Sequence, residues 1–203
     1  MQKVDLKIKE PNFIGSWNLE NNDLCKEIIN FFEANKGLHK QGVTGSGKDI
    51  SKKNTIDISI TPNNLKELRY KCFNTYIAEL YKCYNDYKDQ WPFLKSFIKD
   101  VHMGSFNVQK YYPGESFVTA HTERDSIYTT HRVFAWMTYL NDVEDGGTTN
   151  FSHYGVKIKP EIGKTLIWPA EWTHAHSGEI INSGVKYIIT GWMHFPYDND
   201  GEK

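Results

Sequence analysis

The chain has 203 residues, 39% of them hydrophobic and 14% aromatic, with 24 basic against 25 acidic side chains and a formal net charge of −1. That composition describes a globular chain with a substantial core and excludes a disordered one. It carries no electrostatic signature of general nucleic-acid or membrane-surface binding. No apolar run reaches transmembrane length, and Met1-Gln2-Lys3-Val4-Asp5 is too polar for a secretory signal.

Residues 22–35 read as an amphipathic helix, because Leu24, Ile28, Phe31 and Phe32 keep helical spacing and Gly37 supplies an end. Polar and glycine-rich residues 36–53 read as a loop. Ile56, Ile58 and Ile60 alternate with Asp57 and Ser59, the period of a short strand. Thr61-Pro62 is an N-cap and first-turn pair, and predicts a second helix running to about Tyr87. Its apolar face is carried by Leu65, Leu68, Cys72, Tyr76, Leu80 and Tyr84.

Beyond Trp91-Pro92 the pattern becomes extended. Strands are predicted at 104–111, 132–140, 156–158, 165–169, 172–176 and 187–195, separated by turn-rich stretches such as Glu144-Asp145-Gly146-Gly147. Helices followed by a run of short strands imply an α+β chain. Residues 1–100 form a helical supporting region and 101–203 a β core, the two integrated in one domain. Cys25, Cys72 and Cys83 are odd in number, lack C-x-x-C spacing and read as reduced core thiols, which suits a cytoplasmic setting.

The chemistry is concentrated in His121-Thr122-Glu123 and in His176, which follows 53 residues after Glu123. Two imidazoles and one carboxylate hold non-haem Fe(II) on one face and leave positions open. In an extended segment, residues i and i+2 face the same side, so His121 and Glu123 point together. The third ligand then arrives from a distant strand returning alongside. Asp125 is a rival carboxylate, but on a strand it lies about 13 Å from His121. His174-Ala175-His176 places two imidazoles on one strand face, so His174 is a rival ligand, and with Glu179 it gives a cupin-like alternative. His174 is expected beside the metal site or lining its pocket.

These residues sit in a wider pattern. Tyr112-Pro113-Gly114, His121-x-Glu123, Arg132, Tyr139-Leu140-Asn141-Asp142, Gly146 to Phe151, Pro160, Gly163, His176, Lys186, Thr190 and Trp192 occur in an order that resembles the Fe(II)/2-oxoglutarate-dependent dioxygenases, prolyl 4-hydroxylase-like branch. The resemblance covers residues 107–194, and most relatives carry Asp where this chain has Glu123. It implies a double-stranded β-helix (jelly roll) braced by the N-terminal helices. It implies Fe(II) held by His121, Glu123 and His176, and 2-oxoglutarate held by Lys186 with Tyr112, Tyr139 and Thr190. Lys186 lies ten residues beyond His176, the spacing of the resembled family, which favours His176 over His174.

The implied reaction couples oxidation of 2-oxoglutarate by O2 to hydroxylation of an unactivated C–H bond, with ascorbate as reductant. The implied substrate is a peptidyl residue, proline by the nearest resemblance; a free amino acid, another protein side chain or a nucleobase would use the same core. Gly42 to Lys48 spells most of a phosphate-binding loop, but Asp49 stands where Ser or Thr is required and no apolar strand precedes it, so it reads as a loop.

Overall fold

A computed structural model describes residues 11–43, 47, 49, 51, 53–98 and 100–196. In chain order these form β1 (Gly15–Asn18), α1 (Asn22–Ala34), β2 (Lys40–Gln41), β3 (Ile56–Ile60), α2 (Lys71–Gln90) and α3 (Pro92–Phe97). There follow β4 (His102–Met103), β5 (Phe106–Tyr111), β6 (Arg132–Tyr139), β7 (Thr149–Phe151) and β8 (Val156–Ile158). The last three strands are β9 (Lys164–Pro169), β10 (His176–Gly178) and β11 (Lys186–His194).

The strands make two antiparallel sheets. The larger runs β1-β9-β6-β11-β5-β3-β2, with β4 joined to β11; the smaller runs β10-β7-β8. Period-2 alternation sorts the larger sheet's side chains. On β3, Ile58 and Ile60 join the core beneath the helices, as do Phe106 and Val108 of β5 and Ile189 and Met193 of β11. Their neighbours Asp57, Ser59, Asn107, Gln109, Tyr111, Lys186, Ile188 and Thr190 face a cavity instead.

Aromatic contacts join α2 to the sheet. Tyr76 packs on Trp136 at 5.7 Å between ring centroids, Phe73 on Phe106 at 5.9 Å and Tyr87 on Phe134 at 5.5 Å. The buried Tyr76 hydroxyl bonds the Thr138 hydroxyl at 2.7 Å, so its polar atom does not go unpaired. A second core, including Tyr139, Phe151, Leu166 and Trp168, lies on the other side of the larger sheet. Cys25 and Cys83 are buried and Cys72 half-buried; burial pushes all three thiols up to about 11, so they stay protonated and unreactive.

Two predicted elements need correction. The second helix begins at Lys71 instead of Thr61. Asn64 Oδ1 accepts from both the Thr61 amide (2.8 Å) and hydroxyl (2.9 Å), closing a local turn, and two 3-10 turns follow with Glu67 extended between them. The 172–176 strand is also divided: Trp172–His174 is a 3-10 turn, and the strand is His176–Gly178. The Gly42 to Lys48 segment lies partly outside the described residues.

Candidate active site

His121 and Glu123 lie between β5 and β6 in a stretch with no regular strand. Two backbone hydrogen bonds nonetheless lock His121 against His176, amide to carbonyl in both directions at 3.0 Å. This single antiparallel bridge brings residues 55 positions apart in the chain side by side. Nε2 of His176 lies 3.3 Å and Nε2 of His121 3.9 Å from Glu123 Oε1. Bonds of about 2.1 Å to one ion permit donor separations up to about 4.2 Å, so both histidine–carboxylate separations suit one ion.

Each imidazole is oriented from behind. Nδ1 of His121 donates to the Thr119 carbonyl (2.9 Å) and Nδ1 of His176 to the His174 carbonyl (3.0 Å). A carbonyl can only accept, so the proton sits on Nδ1 and the Nε2 lone pair faces the cluster. Phe117 stacks on the His121 ring at 3.8 Å, and Trp168 meets His176 edge-on at 5.0 Å. Burial, with His176 alongside, lowers His121 to about 4, so it is a neutral donor at pH 7.

Glu123 is gripped at two atoms. Its Oε2 accepts from the Trp192 indole N–H at 2.7 Å, and its carbonyl from Arg132 Nη1 at 2.8 Å, leaving Oε1 toward the histidines. Burial opposes ionisation of this carboxyl, but His176, His121 and the Trp192 donor outweigh it and hold it down at about 2. Arg132 stacks over the Trp192 ring at 3.7 Å and fixes that donor in place. Among the described residues, His121, Glu123 and His176 are the one group placed to share an ion.

The cluster lines a cavity of about 1060 Å³ between the sheets. Lys186 enters it from β11, 3% exposed. Its ammonium donates to the Gly147 carbonyl at 3.0 Å and sits 4.5 Å from the Tyr111 ring centroid, with no carboxylate of the described residues in contact. Burial, against a pull from Glu179, lowers Lys186 to about 8. Gly146 and Gly147 have φ of 79° and 71°, which L side chains rarely adopt, and this turn presents the carbonyl that Lys186 meets.

The other predicted co-substrate residues separate. Thr190 lines the cavity, but its hydroxyl donates to the Trp136 carbonyl at 2.8 Å. Tyr139 is buried one layer behind, its hydroxyl 2.6 Å from that of Thr149, which does line the cavity. Tyr112 is a correction: it is 41% exposed and stands outside the cavity. Tyr111, one residue earlier, pairs with Lys186 across β5 and β11 and takes the inward position, since strand neighbours face opposite sides.

His174 stands beside the site through its backbone. Because it sits in the 3-10 turn, its ring does not share a face with His176; Nε2 lies 2.9 Å from the Asn12 carbonyl and Nδ1 3.0 Å from the Thr173 hydroxyl. Its carbonyl, not its imidazole, serves the site. Asp125 lines the cavity mouth in a turn with Thr129, away from the three-ligand cluster. Sequence reasoning missed the donor role of Trp192 and the stacking of Phe117. The i+2 parity of Trp192 with Thr190 and Lys186 was the available signal for the first; none pointed to the second.

Residues 106–194 match the family model described as the 2OG-Fe(II) oxygenase superfamily. The match covers a little under half of the chain. Solved structures agree with the oxygenase fold. A viral collagen prolyl hydroxylase from Paramecium Bursaria Chlorella virus-1, solved as its 2OG complex, has 20% identity and a TM-score of 0.66, covering 91% of this chain and 97% of that one. A Pseudomonas putida prolyl-4-hydroxylase has 16% identity and a TM-score of 0.66 over 90% and 92%. A Trichoplax adhaerens prolyl hydroxylase, in complex with a hypoxia inducible factor peptide fragment, has 15% identity and a TM-score of 0.69 over 91% and 84%.

Prolyl 4-hydroxylase subunit alpha-1 of Gallus gallus and of Homo sapiens is 26% identical over 73 residues, which are 32% of this chain and 14% of each relative. This chain therefore matches only a small part of their length. One cavity holds His121, Glu123, His176 and Lys186 together. No helix among the described residues is long and apolar enough to cross a membrane.

Proposed function

We propose that this chain is an Fe(II)- and 2-oxoglutarate-dependent dioxygenase that hydroxylates an unactivated C–H bond of a peptidyl residue, in the manner of the prolyl 4-hydroxylases. The observation that carries this reading is the pairing of a two-histidine, one-carboxylate cluster with a buried, carboxylate-free ammonium in the same cavity. The first suits a ferrous ion. The second is a costly group to bury alone, and a dianion reaching from the ion to Lys186 would neutralise it.

Ferrous iron, when bound, supplies the oxidising chemistry: O2 and 2-oxoglutarate become succinate and carbon dioxide, and one oxygen atom enters the substrate C–H bond as a hydroxyl group. The residues hold and shield. His121 and His176 offer Nε2 lone pairs, Glu123 offers Oε1 and Trp192 keeps Oε2 turned away. Lys186 receives the far carboxylate over Tyr111, beside Thr149, which Tyr139 backs from behind the cavity. Apolar walls from Met137, Trp168, Phe117 and Ile188 limit water near the reacting atoms.

A peptidyl substrate is supported by the cavity volume, which exceeds what the co-substrate needs, and by prolyl hydroxylases among the similar structures. The test is aerobic incubation with proline-containing peptides, reading a mass gain of one oxygen atom. The gain should require both Fe(II) and 2-oxoglutarate, vanish in His176→Ala and survive in His174→Ala. Loss in both variants with retained folding would return His174 to the ligand set. A mass gain confined to a free amino acid or nucleobase would overturn the peptidyl substrate.

A further inference from the structure

Lys186 shares its cavity with a second buried lysine. Lys53, 6% exposed, reaches the same cavity from the segment before β3. The surroundings of the two ammonium groups differ. Lys53 Nζ lies 3.1 Å from Oδ2 of Asp57, itself 8% exposed on β3, whereas Lys186 meets the Gly147 carbonyl and the Tyr111 ring. The Asp57 carboxylate is seated by more than Lys53. Thr55 Oγ1 donates to its Oδ1 at 2.7 Å and Gln109 Nε2 to its Oδ2 at 3.2 Å, so it would keep its place in the cavity wall without the ammonium.

A buried ion pair fastens a fold weakly, because both groups lose their hydration and apolar side chains of equal volume often do as well or better. The position of this pair is more informative. Lys53 Nζ sits 5.7 Å from the Phe117 ring centroid, and Phe117 stacks on His121 of the metal cluster. Gln109 in turn accepts from the Tyr111 hydroxyl at 2.8 Å, and Tyr111 supplies the ring beneath Lys186. A dianion entering a cavity poor in water is drawn to any uncompensated cation. A cation with a carboxylate in contact presents only a dipole, whose field falls off faster. The remaining cations of the lining are also muted: Arg132 lies 3.9 Å from Glu123, and Lys40 is exposed to solvent and screened.

We propose that Asp57 decides which of two buried lysines takes the co-substrate: by neutralising Lys53 it leaves Lys186 as the cation that receives the far carboxylate of 2-oxoglutarate. The proposal rests on the 2-oxoglutarate reading above. Asp57 is a positioning residue, acting through Lys53 and not by contact with the ligand. Without it the dianion would find two competing anchors in one cavity and no single direction away from the ion.

The test uses the full chain loaded with Mn(II) under argon, calorimetric titration of 2-oxoglutarate, and circular dichroism to establish which variants fold. Lys186→Met should raise the Kd about 10- to 100-fold. Adding Asp57→Asn to it releases Lys53 and should recover at least about fivefold of that loss; adding Lys53→Met as well should remove the recovery. With Lys186 intact, Lys53→Met leaves the seated carboxylate uncompensated and should raise the Kd roughly five- to tenfold by repulsion, while Lys53→Met with Asp57→Asn should return it to within about twofold of the unsubstituted protein. Failure of either rescue in a folded variant overturns the proposal, because an Asp57 of merely structural value would make each second substitution worse. If the Asp57 variants do not fold, Lys53→Met against Lys53→Arg decides: the first should weaken binding and the second should not, and equal Kd values overturn the proposal. Absence of 2-oxoglutarate binding to the unsubstituted protein would instead sink the co-substrate reading on which it stands.

Discussion

Lys186 shows how one buried charge writes a pH dependence. Its ordinary value of 10.5 falls to about 8 through burial. Below that it is an ammonium able to bind a carboxylate; above it the charge is lost. The Kd for 2-oxoglutarate on the Mn(II)-loaded protein should therefore be flat below about pH 8 and rise toward tenfold per unit above it. Lys186→Arg should remove that rise. Stability of the ligand-free protein runs the other way: between about 8 and 10.5 the unfolded chain binds more protons than the folded one, so resistance to urea should increase with pH across that window. The inward tyrosine is a second matter for single residues. Tyr111→Leu removes the ring under the ammonium and should weaken 2-oxoglutarate binding about tenfold, whereas Tyr112→Leu should change it less than about twofold.

At the scale of elements, periodicity was legible wherever one face meets a core. Ile56, Ile58 and Ile60 turn toward the helices while Asp57 and Ser59 face the cavity, as the alternation required. Helix α2 follows its predicted apolar stripe, and Leu80→Ala should cost about 2–5 kcal/mol in urea unfolding because Leu80 is fully buried. What periodicity did not show was where a local side-chain bond breaks the pattern. Asn64 capturing Thr61 delayed α2 to Lys71, and a 3-10 turn took the first half of the predicted 172–176 strand. The Gly146-Gly147 turn is the least replaceable connection. A Cβ on Gly146 would lie 2.2 Å from the Ile180 carbonyl oxygen at a φ of 79°, so Gly146→Ala should cost at least about 2 kcal/mol and loosen the carbonyl that Lys186 meets.

For the whole molecule, the site is a device for joining two sheets. His176 and Thr149 belong to the smaller sheet, Lys186 and Trp192 to the larger, and His121 bridges to His176 outside both. An ion and a dianion shared among them should lock the sheets together. At a hundredfold excess over Kd such binding is worth about 2.7 kcal/mol, so Mn(II) with 2-oxoglutarate should raise Tm by about 5–10 °C. Chelation should reverse the shift, and Glu123→Ala should abolish it.

The sequence by itself determined the elements with strong periodicity, the reduced state expected of the thiols, and the residue types of the metal cluster with their order. These properties are set by spacing along the chain, because i+2 parity and apolar period are local. The spacing to Lys186 already favoured His176 over His174; the tertiary structure adds the reason, since a 3-10 turn aims the His174 imidazole at Asn12 and leaves that of His176 toward Glu123. The tertiary structure alone decided Tyr111 over Tyr112, Trp192 as the keeper of Glu123, and the pairing of Lys53 with Asp57. Such facts depend on register and on contacts between residues far apart in the chain, and a one-residue shift in register exchanges the two faces of a strand.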